Sequence, residues 1–233
     1  MLKALNLTLS YKSSIVLDNI SFQAEKGRLI ALVGTNGSGK TTLLKALAGI
    51  IKPAAGNIEV LGHDINRMSV KERSGIITFL STYRSAGLNN LTAEQIVSLG
   101  RYVHKSTHQT DKQKVWEAME LTGSTKLANK KFSRLSDGEK QKVLLAKTIA
   151  QDSNIILLDE PLSFLDYINK PQIVKILDEL SKKRQKLIIF STHEIEQATQ
   201  HADSFLFIEN KKIKHIKKSE ELKNLINRQL STI

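Results

Sequence analysis

The sequence predicts an α/β fold built on a mainly parallel sheet, with a helical segment inserted into it. Short apolar runs, RLIALV (28–33), NIILLD (154–159) and KLIIFST (186–192), alternate with stretches of helical spacing. That alternation is the pattern of parallel strands joined by helices. A glycine-rich segment, GTNGSGKT at Gly34–Thr41, follows the first of these runs and leads into a helix. Between about Tyr83 and Arg134 the apolar runs stop and only amphipathic helix patterns remain.

The elements follow in order. LKALNLTLSY (2–11) places apolar residues at Leu5, Leu7 and Leu9, the alternation of a half-buried strand, and NISFQAEKG (19–27) reads as another that ends in a turn at Gly27. RLIALV, stopped by Gly34, is a buried parallel strand. TTLLKALAGI (41–50) has helical spacing and ends around Gly49; KPAAGNIEVLGHDI (52–65) is a Pro/Gly turn, a short strand and a second turn. In the insertion, TAEQIVSLGRY (92–102) and DKQKVWEAMELTG (111–123) are helices, with Thr92 and Thr110 or Asp111 as caps. A helix from Ser136, the strand NIILLD, the helix NKPQIVKILDELSKK (169–183), the strand KLIIFST and the helix EIEQATQHA (194–202) resume the frame. A hairpin, SFLFIENKKIKHI (204–216), and a helix after Ser219 close it.

The 233 residues suffice for one large α/β domain, or a core with a small subdomain. With 40% hydrophobic and 25% charged residues the composition is that of a globular protein. No apolar run approaches the roughly 18 residues that cross a bilayer, and the first residues carry no signal-peptide pattern. Cysteine is absent, which excludes disulfides and thiol chemistry. The net charge of +12, concentrated late in the chain in SKKRQK and NKKIKHIKK, favours polyanions: nucleic acid, an anionic membrane leaflet or nucleotide phosphates. A solvated basic face explains it equally well.

Two segments carry chemistry. GTNGSGKT matches GxxxxGK[ST] in full, with a strand before and a helix after. Glycines at 34, 37 and 39 let backbone amides face phosphates without a side-chain clash, and the helix beginning near Lys40 aims its positive end at the anion. Gly34, Asn36, Gly37, Ser38, Gly39, Lys40, Thr41 and Thr42 form the predicted phosphate-binding set. Lys40 neutralises the β and γ phosphates, and the Thr41 hydroxyl goes to Mg²⁺. NIILLDE delivers Asp159 to the C-terminal edge of a strand, where α/β ligand sites lie. Asp159 is placed to hold Mg²⁺ through water, and Glu160 to polarise an attacking water. A third segment, RLSDGEKQKV (134–143), places Glu139 three residues after Ser136, the capping box that starts many helices.

With GTNGSGKT, LSDGE (135–139) and IILLDEP (155–161) in this order, the chain resembles an ATP-binding subunit of the ABC transporter family from about Leu5 to Asn210. The resemblance implies a P-loop ABC-type ATPase: one domain over 1–233, with a core and an N-terminal antiparallel β subdomain at about 1–82 and 143–233. A helical subdomain carrying the signature LSDGE is expected at about 83–142. It implies that Tyr11 stacks on adenine, that Ser163–Asp166 crosses to a second subunit, and that His193 contacts the γ-phosphate. Two subunits are expected to pack head to tail as a homodimer, with each ATP between the phosphate loop of one and the Ser136 and Gly138 of the other. Membrane permease subunits, docked on the helical subdomain, would be driven by this cycle. A periplasmic or surface substrate-binding protein would act indirectly, and no nucleic acid is expected. The cofactors are ATP and Mg²⁺, and the place is the cytoplasmic face of the membrane. LTAEQIVSLGRYVH (91–104) resembles the ATPases of siderophore, heme and cobalamin importers through Gly100, Arg101 and His104, with Val103 where that group often has Pro.

The chain departs from the family at several positions. Ser81 and Thr82 stand where the family has Pro and a Gln that reaches Mg²⁺ and the attacking water, so Thr82 is the expected, shorter substitute. Leu162 follows DEP where Thr is common, and Asp137 and Glu139 replace a Gly and a Gln of the signature. Two alternatives share the motifs: a soluble ABC-type ATPase acting on nucleic acid or ribosomes, and the ATPase of an exporter. A single phosphate loop and the lack of a heptad array argue against the first.

Overall fold

A computed structural model describes residues 1–11, 14–81, 87–104, 107–217 and 219–226, with the backbone alone for 227–230. Thr82 lies outside the described residues. The chain begins with β1 (Leu2–Tyr11), β2 (Ser14–Ala24), β3 (Leu29–Gly34) and α1 (Lys40–Leu47). It continues through β4 (Ala55–Val60), β5 (His63–Asp64), α2 (Val70–Ile76) and β6 (Ile77–Leu80). The helical segment comprises α3 (Ala93–Ser98), a 3₁₀ turn (Leu99–Val103), α4 (His108–Leu121) and α5 (Asp137–Ala150). The chain then runs through β7 (Ile155–Leu158), α6 (Asn169–Lys183), β8 (Leu187–Ser191), α7 (Ile195–His201), β9 (Ser204–Glu209), β10 (Lys212–Ile216) and α8 (Ser219–Leu230).

Two sheets form. The first is antiparallel, in the order β2-β1-β4-β5. The second runs β10-β9-β3-β8-β7-β6 and is parallel from β9 to β6, with β10 antiparallel on its edge. The edge strand carries Lys212 and Lys214, charges that discourage pairing with another chain.

Period-two alternation builds two cores from the second sheet. Ile30 and Leu32 of β3, Ile155 and Leu157 of β7, and Leu187 and Ile189 of β8 face α1 and the first sheet. Leu29, Ala31 and Val33, Ile156 and Leu158, and Ile188 and Phe190 face the opposite way, toward α5, α6 and the insertion. Both faces being covered explains why these strands read as unbroken apolar runs. Each fully buried aliphatic side chain contributes about 1.5–3 kcal/mol over an exposed one. The pairings Leu32 with Ser191, Leu158 with Phe190 and Leu80 with Leu158 bring the C-terminal ends of β3, β8, β7 and β6 to one edge.

The helix caps follow local chemistry. Thr92 starts α3 with a reciprocal box to Gln95, as the sequence implies. For α4 the expectation needs correction: the cap is Thr107, which accepts from the Thr110 N–H at 3.3 Å, not Thr110 or Asp111. Asp111 is drawn instead to Arg101, whose Nε lies 2.8 Å from its carboxylate. The short α2 was not expected at all; Ser69 and Glu72 cap it with the same box.

Gly100 sits where the 3₁₀ turn meets α5: a Cβ there would lie 2.4 Å from the Lys147 carbonyl oxygen, a backbone atom that cannot swing aside. Gly100→Ala should therefore destabilise by about 1–3 kcal/mol, lowering Tm by roughly 3–10 °C. Thermal unfolding checks it, and an unchanged Tm would contradict this packing.

Candidate active site

The phosphate loop leaves β3 at Gly34 and enters α1 at Lys40. Its turn depends on backbone that only glycine adopts without strain: Gly39 has φ 106°, and a Cβ there would meet Val16 Cγ1 at 2.6 Å. Gly39 caps α1 with no side-chain hydrogen bond, so the first-turn amides of α1 remain donors for an anion. Lys40, 7% exposed, folds back so that Nζ donates to the Gly34 carbonyl at 2.8 Å and the Thr35 carbonyl at 3.1 Å. Burial pulls its pKa below the usual lysine value, and the charges of Glu160 and Asp159 oppose that shift. The Ser38 hydroxyl is buried and has no hydrogen-bond partner among the described residues.

Across the sheet edge, Asp159 directly follows β7 and is 2% exposed. Thr41 Oγ1 donates to its two carboxylate oxygens at 3.0 and 2.9 Å, and Ser191 Oγ donates at 2.8 Å. Its own N–H donates to the Leu80 carbonyl at 2.8 Å, extending the β6–β7 ladder by one residue. Glu160 follows with φ 50°, a left-handed conformation that costs a non-glycine residue about 1–2 kcal/mol. Its N–H donates to Ser191 Oγ at 2.9 Å, which holds that turn. His193, 60% exposed, sits with Nδ1 2.9 Å from Glu160 Oε2. An N–H on Nδ1 is required for it to donate to that carboxylate.

An open cleft of about 430 Å³ is lined by Tyr11, Val16, Asn36, Gly37, Gly39, Lys40, Thr41, Thr42 and Glu160. Tyr11 stands at the end of β1, 67% exposed. The predicted loop residues, Tyr11, Asp159, Glu160 and His193 therefore converge on one edge. Ser136 and Gly138 do not line this cleft.

They lie at the start of α5, where the expected capping box is present. Ser136 Oγ accepts from the Glu139 N–H at 3.2 Å, and the Ser136 N–H donates to Glu139 Oε2 at 2.9 Å. The backbone hydrogen bond from Ser136 is the main cause that holds the Glu139 carboxyl below its usual pKa, with Lys130 adding to it. Asp137 Oδ1 lies 3.2 Å from Lys140 Nζ on the same helix. The loop after Glu160 packs on this end: a Cβ on Gly138 would sit 3.0 Å from the Phe164 carbonyl oxygen, and Gln141 Nε2 donates to the Pro161 carbonyl at 3.0 Å. In that loop Asp166 accepts from the N–H and the side-chain amide of Asn169 at 2.8 and 2.5 Å.

Sequence reasoning missed Ser191, the hydroxyl that joins Asp159 to the turn of Glu160. Its signal was available: it is the last residue of an apolar strand, two before His193.

Comparison with known proteins places the chain in a family. A family model described as ABC transporter matches residues 17–163. The achromobactin transport ATP-binding protein of Dickeya dadantii is 36% identical over 209 residues, covering 88% of this chain and 77% of that protein. The petrobactin import ATP-binding protein of Bacillus anthracis is 34% identical over 225 residues, covering 95% and 82%. A dimeric ATP-binding cassette solved in a post-hydrolysis state with ADP and Pi superposes with a TM-score of 0.84 at 25% identity, covering 93% of this chain and 98% of that one. On these matches the chain belongs to the ABC transporter family as one of its ATP-binding ATPase subunits.

Proposed function

We propose that this chain powers an ABC importer of iron-siderophore, heme or cobalamin, acting as a head-to-tail homodimer on the cytoplasmic face of the membrane beneath permease subunits. The observation that carries the ATPase chemistry is the continuous hydrogen-bonded path Thr41–Asp159–Ser191–Glu160–His193. The Glu160 N–H closes its third link. A substrate-binding protein would deliver cargo from outside. The names of the relatives, achromobactin transport and petrobactin import, favour siderophores among the cargoes. A phosphonates import relative from Fusobacterium nucleatum, 34% identical, keeps a second cargo class in the test.

In this reading ATP lies in the cleft with its adenine on Tyr11. The amides of the loop and of the first turn of α1 hold its phosphates. Lys40 exchanges its contacts with the Gly34 and Thr35 carbonyls for phosphate oxygens. The Ser38 hydroxyl is available to the same group. Glu160 takes a proton from the water that attacks the γ-phosphorus; the bond to the β-phosphate oxygen breaks, giving ADP and phosphate. His193 holds the Glu160 carboxylate and reaches the γ-phosphate.

The residues also fit Mg²⁺. Thr41 and Asp159 present only oxygen donors, and among the described residues no group of three or more His, Cys, Asp or Glu competes as a cage. A hard cation held by one or two protein oxygens, with phosphates and water completing it, has this donor set. When bound, it would neutralise phosphate charge. Thr82 was expected to help, but it lies outside the described residues.

Ser136 and Gly138 at the exposed start of α5 then serve the nucleotide of the second subunit. The groove at the 3₁₀ turn, where Leu99 and Tyr102 are exposed, the latter at 91%, is the surface offered to the permease.

Glu160→Gln should bind ATP, hydrolyse it at least about a hundredfold more slowly and accumulate as a closed dimer; size-exclusion chromatography with ATP reads it, and a persistent monomer at saturating ATP would sink the head-to-tail reading. Ser136→Ala should leave ATP binding by the monomer within about twofold while impairing hydrolysis by the dimer. An equal loss of monomer binding, together with about 1 kcal/mol of stability, would return Ser136 to a purely capping role. Deleting the gene should abolish cellular uptake of one cargo among iron-siderophore, heme and cobalamin; loss of phosphonate uptake instead would overturn the cargo assignment.

A further inference from the structure

Several polar contacts meet at a residue that the active site does not use. Gln151 caps the C-terminal end of α5. Its side-chain oxygen accepts from Thr78 Oγ1 of β6 at 2.8 Å, and its amide donates to the Ser74 carbonyl of α2 at 2.7 Å. The orientation of the amide follows from chemistry, because a carbonyl can only accept and so requires the NH₂ to face Ser74. The Gln151 backbone carbonyl accepts from His104 Nε2 at 2.6 Å, and the Ala150 carbonyl accepts from Arg101 Nη1 at 2.7 Å. These two carbonyls are ones that a helix C-terminus leaves without an internal partner. The segment Gly100–His104 thus grips the end of α5 from the insertion side, while Thr78 and Ser74 grip it from the core side.

α5 is also held near its start, through Gln141 and the Pro161 carbonyl at 3.0 Å. Two points set the direction of a rod. The 14 residues of α5 rise about 21 Å, so a tilt of about 5° at the Gln151 end displaces the Ser136 end by roughly 2 Å. Other bridges nearby are ion pairs between partly exposed groups, Lys114 and Lys186 with Asp152 at 3.3 and 2.9 Å and Arg184 with Glu117. Such pairs hold geometry weakly. Thr78, by contrast, is 4% exposed and stands two residues before Leu80, whose carbonyl accepts the Asp159 N–H.

We propose that Gln151 is a positioning residue for ATP hydrolysis: by joining α5 to β6 and α2, it sets the tilt of the helix that presents Ser136 and Gly138 to the nucleotide of the other subunit. This rests on the head-to-tail reading above. In a closed dimer each chain supplies both halves of a pair of sites, so its phosphate loop and its signature must be in register before closure. A loose α5 loses that freedom on closing, which weakens association without touching the ATP contacts of the monomer.

The test uses Glu160→Gln as the parent, with Gln151→Leu and, as a milder change that keeps shape, Thr78→Val. ATP-driven dimerisation is followed by sedimentation, and ATP affinity by titration at protein concentrations where the chain is monomeric. For Gln151→Leu the ATP concentration at half-maximal dimerisation should rise about tenfold, for Thr78→Val about threefold, with monomer affinity within about twofold of the parent. Adding Thr78→Val to Gln151→Leu should cost little more, since the two act through one contact. Unchanged or tighter dimerisation in both variants overturns the proposal, as does a matching loss of monomer affinity. A parent that stays monomeric in ATP overturns the head-to-tail reading and this inference with it.

Discussion

The buried carboxylate of Asp159 ties the catalytic edge together. An isolated charge at 2% exposure would be untenable, and the protein satisfies it with the hydroxyls of Thr41 and Ser191. Those partners come from α1, immediately after the phosphate loop, and from the last residue of β8. One carboxylate therefore registers three elements. Ser191 spends its other capacity on the Glu160 N–H, so the strained turn that aims Glu160 is held by the same hydroxyl that satisfies Asp159. Removing Ser191 would disturb the charge and the turn at once.

The signature stretch obeys a similar economy. A capping box normally satisfies orphan amides and nothing more. Here the box fixes Ser136 and Gly138 at the positive end of a 14-residue helix that begins on the surface. The two acids that look misplaced beside a phosphate are both occupied locally. Glu139 closes the box, and Asp137 lies beside Lys140, along the helix flank. In the proposed head-to-tail reading, the helix start and half of a composite site are one structure.

Most of this edge was legible in sequence because its elements are local: a strand, a loop of fixed spacing and a helix occupy Leu29–Leu47 without a break. Asp159, Glu160 and His193 were legible because each lies within two residues of the end of an apolar strand. What escaped was of two kinds, local caps without an apolar stripe behind them and contacts to partners distant in sequence. Thr107 rather than Thr110 caps α4, because Thr110 N–H is the donor and Asp111 is drawn to Arg101. The box at Ser69 was passed over because α2 buries none of its residues and so lacks an apolar stripe. Gln151 carries no local signal at all: its partners are 73 and 77 residues away.

The same contrast gives Gly100, Arg101 and His104 a mechanical reason. Gly100 must lack a Cβ because the Lys147 carbonyl fills that space. The close approach it permits lets Arg101 and His104 reach the last carbonyls of α5, where positive or donating groups are favoured by the helix dipole. The exposed Tyr102 lies between those two gripping residues. A force applied there by a permease would reach α5 through two short hydrogen bonds, and β6 through Gln151, without crossing a flexible linker. Chains of packed contacts of this kind are one way in which distant sites are coupled, and these contacts meet at the helix whose other end carries the signature.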